Sequence, residues 1–97
     1  MNPKLALAVR EHNVVTFSYD GLVRTVEPHT YGITTAGHEA LSGYQTGGFS
    51  RTSDRPRWRL YLLSDIRNLI VKDATFERTR PGYRSNDSRM TKIFARA

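Results

Sequence analysis

The sequence predicts a mainly β (α+β) domain: one N-terminal helix, then a strongly bent five-stranded antiparallel sheet curling into a small barrel, then a last short helix. Three observations carry this expectation. One helical pattern is followed by five or so short runs of strand character. Asp20-Gly21 stands between two such runs as a hairpin turn. The 97 residues suffice for a single core and little else, and so small a sheet protects its edges best by curling.

Asn2 is placed to cap the first helix, with Pro3 at its first position, and Leu5, Ala8, Val9 and His12 fall on one face at helical spacing. Asn13 ends it. Strand character begins at Val14 and runs to Tyr19, and after Asp20-Gly21 a second strand covers Leu22 to Val26. A two-residue turn pairs Tyr19 with Leu22, Phe17 with Arg24 and Val15 with Val26 on one face, setting Arg24 beside aromatic rings. Glu27-Pro28 should end that strand, because proline donates no ladder hydrogen bond. Short strands follow at Tyr31 to Ile33 and Glu39 to Tyr44, and a long Gly/Ser/Thr/Arg loop spans Gln45 to Pro56.

Arg57 to Leu63 then forms a strand with two unlike faces: Trp58, Leu60 and Leu62 on one, Arg57, Arg59, Tyr61 and Leu63 on the other. The expectation is that the tryptophan face fills the core and the arginine face meets an anion. Ser64 to Arg67 reads as a tight turn or helical step, Leu69 to Phe76 as a strand, Arg78 to Asn86 as a basic turn region, and Ser88 to Ala95 as the final helix.

Charge is placed unevenly. Residues 1–50 carry 3 Lys/Arg against 4 Asp/Glu, a net of −1, and residues 51–97 carry 12 against 5, a net of +7. Ten of those twelve cations are arginine, whose planar fork suits phosphate and whose flat face suits bases. An anionic partner is expected, nucleic acid or nucleotide first. Arg24, Arg57 and Arg59 supply guanidinium donors and Tyr19, Tyr44 and Tyr61 stacking faces, the combination that single-strand binding uses.

Other chemistry is poorly supported. The chain has no cysteine, hence no disulfide, thiolate nucleophile or thiolate metal site. His12, His29 and His38 show no metal-ligand spacing. His29 beside Glu27 could be a base with its orienter, but a lone loop histidine is more often a surface residue. No nucleophile elbow, phosphate loop or paired acidic motif occurs, so no enzyme, cofactor or metal is expected. No segment approaches membrane-span length, and a cytoplasmic protein is expected.

These residues together resemble a WYL domain, the small Sm-like barrel module found mostly in bacterial transcription regulators and defence proteins. The resemblance runs from Ala8 to Asn13 and the strand after it, through Asp20-Gly21 and Arg24-Thr25-Val26-Glu27-Pro28, to Tyr44, Arg59-Leu60-Tyr61, and Ile66 with Leu69, Val71 and Phe76. It implies a single domain over 1–97, with its core at about residues 5–80 and a basic tail at 81–97. The naming tripeptide would fall on Glu39-Ala40-Leu41, where only the leucine matches, and the second arginine of the family's strand is Leu62 here, with Arg57 on the same face as Arg59 to compensate. With no helix-turn-helix in these 97 residues, the chain resembles a stand-alone copy. The implied role is ligand sensing: single-stranded nucleic acid or a nucleotide-like anion is bound, and the state is passed to an effector protein in transcription regulation or phage defence. The alternative is a protein-interaction module, a homodimer being expected, in which Tyr61, Leu63 and a Met90-Ile93-Phe94 face bury against a partner chain.

Overall fold

A computed structural model describes residues 1–48 and 57–97. Most of the Gln45 to Pro56 loop therefore lies outside the described residues. Helix α1 (Pro3–Arg10) opens the chain as expected: the Asn2 side chain accepts from the Leu5 N–H at 3.1 Å, and Leu5, Ala6, Ala8 and Val9 are buried. Strands β1 (Asn13–Tyr19) and β2 (Leu22–Thr34) form the expected hairpin, in the register Tyr19 to Leu22, Phe17 to Arg24 and Val15 to Val26. Asp20 and Gly21 both have positive φ, 54° and 74°, the geometry a two-residue hairpin turn of matching twist demands.

Next come β3 (Glu39–Gly48), β4 (Arg57–Leu62), a 3₁₀ turn (Leu63–Asp65), β5 (Arg67–Thr75) and β6 (Met90–Arg96). The sheet is antiparallel and six-stranded in the order β4-β3-β2-β1-β5, with β6 added to β2. Among the described residues no ladder joins β4 to β5, so the barrel stays open on that side. There the Leu62 N–H donates to the Tyr19 hydroxyl at 3.1 Å.

Three expectations are corrected. Pro28 does not end a strand: β2 runs straight through it. One edge of β2 pairs with β1 as far as Val26 and with β6 only from Thr30. Pro28 falls between those partners, where a missing N–H leaves no ladder bond unmade. The C-terminal segment is a strand, not a helix, because the second half of β2 offers an edge that β1 does not reach, and an eight-residue helix has little stability of its own. Gly32 makes this docking possible, since a Cβ there would lie 2.0 Å from the Lys92 carbonyl oxygen.

On β4 the faces are opposite to those expected. Tyr61 is buried in the main core with Val15, Phe17, Val26, Tyr31 and Leu41, closed at one end by α1. Register puts Leu41 opposite Tyr61, Gly43 opposite Arg59 and Gln45 opposite Arg57, so the arginines share that concave face. Trp58, opposite Tyr44, belongs to the convex side. A second layer explains the inversion. The segment from Phe76 to Arg89 folds over the convex side, and the Trp58 Nε1–H donates to the Pro81 carbonyl at 2.7 Å. With both sides covered, hydrophobicity alone could not tell inside from outside.

Candidate functional site

The end of the concave face nearest the Asp20-Gly21 turn gathers the strongest chemistry. Arg24 is 4% exposed, and its guanidinium lies 5.5 Å from the centre of the Tyr19 ring. It donates to the Tyr19 carbonyl at 3.2 Å and to Gln45 Oε1 at 3.4 Å. The Tyr61 hydroxyl donates to the same Gln45 oxygen at 3.0 Å. Phe17, Tyr19 and Tyr61 meet edge to face, at 4.9 Å for Phe17 with Tyr61 and 5.1 Å for Tyr19 with Tyr61, a geometry that suits ring quadrupoles.

Arg24 is a buried cation whose partners among the described residues are all neutral. Its Nε has no hydrogen-bond partner, and among the described residues no carboxylate pairs with it. Burying an uncompensated charge carries a penalty of several kcal/mol. Tyr61 reports on the same environment: burial pushes its hydroxyl up to about 12, while the Arg24 and Arg59 guanidiniums pull the other way. The phenol therefore stays protonated at neutral pH, and Tyr61 serves as a hydrogen-bonding ring.

Of the six residues singled out from the sequence, Tyr19, Arg24, Arg59 and Tyr61 come together, and Arg57 shares their face by register. Tyr44 does not. It is on the convex side, edge to face with Trp58 at 5.6 Å and 4.8 Å beneath the Arg80 guanidinium. The residues nominated for a partner interface are also used internally, since Tyr61 and Met90 are buried and Phe94 packs on Tyr31 at 5.2 Å.

The convex side holds groups that sequence reasoning missed. His29 is fully buried rather than on the surface. It is the extra residue of a bulge, because the register steps from Pro28 opposite Gly43 to Thr30 opposite Ser42. The Arg80 N–H donates to His29 Nε2 at 3.1 Å, so Nε2 is the acceptor, and the proton sits on Nδ1, which donates to the Glu27 carbonyl at 2.8 Å. Burial lowers the pKa of this imidazole below its ordinary value. Phe76 stacks on it at 5.1 Å, and Trp58 meets it edge-on at 4.7 Å. The Glu27 carboxylate does not orient His29; it takes both prongs of Arg80, at 2.7 and 3.0 Å. A proline inside a strand was the signal that could have pointed to a bulge here.

No family model, curated protein or solved structure matches the chain. The residues themselves carry the functional argument. Among the described residues no group of three or more His, Asp or Glu could hold a metal, and no helix is long and apolar enough to cross a membrane.

Proposed function

We propose that this chain is a non-enzymatic sensing module of the WYL type, and that the open barrel end formed by Tyr19, Arg24, Arg57, Arg59 and Tyr61 binds a nucleotide-like anion, with single-stranded nucleic acid favoured. The buried, uncompensated guanidinium of Arg24 is the observation that carries the reading. A phosphate arriving at this end would supply the countercharge that no described residue gives Arg24, and charge-assisted bonds to arginine are about twice as strong as neutral ones. The half-exposed Tyr19 ring offers a stacking face beside it, and base stacking is worth roughly 1–3 kcal/mol. An N-terminal helix leading into a bent sheet, with a short helical turn between β4 and β5, agrees with the Sm-like resemblance.

On this reading the bound state is passed to a separate effector in bacterial transcription regulation or phage defence, in the cytoplasm, with two copies of the chain acting together. Fluorescence polarisation against labelled single strands, duplexes and cyclic nucleotides tests the ligand class. If three phosphates are neutralised, single-strand affinity should fall roughly 20-fold between 50 and 200 mM salt. Arg59→Ala should abolish binding while the thermal melt stays cooperative; unchanged affinity would refute the site.

A further inference from the structure

We propose a second binding site, on the convex side, for a small ligand made of one planar ring and one anionic group. A cavity of about 210 Å³ lies between the sheet and the C-terminal segment, walled by Trp58, Tyr83 and Arg84 over a floor of Thr30 and Ser42. Its size limits the occupant. Drug-sized ligands fill roughly 300–1,000 Å³, so this space takes a single ring with its charged substituent, not a strand of nucleic acid.

The walls define the chemistry. Trp58 is held in place by its Nε1–H bond to the Pro81 carbonyl and by the Gly82 backbone, where a Cβ would stand 2.9 Å from the indole nitrogen. Gly82 has φ of +93°, which also favours glycine. The indole is thus a pre-ordered stacking surface, requiring little further ordering on binding. At the rim, Arg89 is already committed: it holds Asp87 with two nitrogens, at 3.1 and 2.7 Å, and donates to Ser42 Oγ at 2.9 Å. Arg84 is not. Among the described residues it has no hydrogen-bond or ion-pair partner, although it borders the cavity. A fixed aromatic wall, two buried hydroxyl-bearing residues and one uncommitted guanidinium suit a ring monoanion such as a pyrimidine carboxylate.

This site is on the opposite side of β4 from the arginine-rich barrel end and stands independently of it. Trp58 is the only tryptophan of the chain, so its emission reports occupancy directly. Orotate, a single pyrimidine ring bearing one carboxylate, is the probe; a saturable change supports the site. Uracil and inorganic phosphate, which each lack one half of the pattern, should bind at least tenfold more weakly. Arg84→Gln, an exposed change, should weaken binding tenfold or more, while Arg59→Ala leaves it unaltered. No saturable change up to millimolar ligand, equal affinity for inorganic phosphate, an Arg84→Gln variant that binds like wild type, or loss of binding in Arg59→Ala would each overturn the proposal.

Discussion

Acidification should weaken this fold through one side chain, His29. In the folded chain the imidazole is fully buried and neutral, accepting the Arg80 N–H at Nε2 and donating from Nδ1 to the Glu27 carbonyl. A proton added at Nε2 would turn that acceptor into a second donor facing the Arg80 N–H and place a cation beside the Arg80 guanidinium. His12, which stacks on the far side of Phe76, adds a further repulsion once charged, whereas Glu27 opposes it. Burial is the largest cause of the lowered pKa. In the unfolded chain His29 titrates near its ordinary 6.5. The unfolded state therefore binds more protons below that pH, and stability must fall as the pH drops from 6.5 towards the depressed folded value. Above 6.5 both states are neutral and the contribution is constant. One proton corresponds to a slope of at most about 1.4 kcal/mol per pH unit.

The clean comparison is His29→Gln, whose amide can still accept from Arg80 but gives up the Glu27 bond and the ring stacking. At pH 7.5 it should be less stable by about 1–3 kcal/mol, the sum of one hydrogen bond and lost aromatic contact. Urea unfolding at several pH values between 7.5 and 5 measures both proteins, and the other titrating groups cancel in the difference. The stability gap should narrow as the pH falls, because only wild type loses the imidazole contribution. Parallel pH profiles would refute the assignment of His29 as the buried neutral bridge.

Three further outcomes follow from the same geometry. Arg24→Met removes a buried charge yet leaves Gln45 Oε1 paired with the Tyr61 hydroxyl, so stability by urea unfolding should change by less than about 1 kcal/mol or rise, while oligonucleotide binding is lost. Glu27→Gln breaks the two-pronged Arg80 contact, in which Arg80 is 41% exposed and therefore screened; about 1 kcal/mol of stability should go, with faster amide exchange over residues 76–89. Gly32→Ala drives a methyl into the Lys92 carbonyl, and a loss of about 3 kcal/mol, or selective loss of exchange protection in β6, should result; a variant with wild-type protection there would contradict the pairing of β6 with β2.

The sequence by itself determined what short-range chemistry controls. Asn2 and Pro3 start α1, and Asp20-Gly21 sets the β1–β2 register, because a cap and a two-residue turn depend on neighbours a few positions away. The grouping of Tyr19, Arg24, Arg59 and Tyr61 was also readable, since period-two alternation and that register put them on common faces. Which face lay inside was not. On β4 the two sets, Arg57-Arg59-Tyr61 and Trp58-Leu60-Leu62, could each be covered, and the choice was made by Phe76 to Arg89 folding over the tryptophan side. The passage of β2 through Pro28, the burial of His29 and the strand at Met90–Arg96 were likewise decided by partners distant in sequence. An edge left open between β1 and β6, a carbonyl waiting for a ring N–H and a free strand edge exist only once the chain has folded around them.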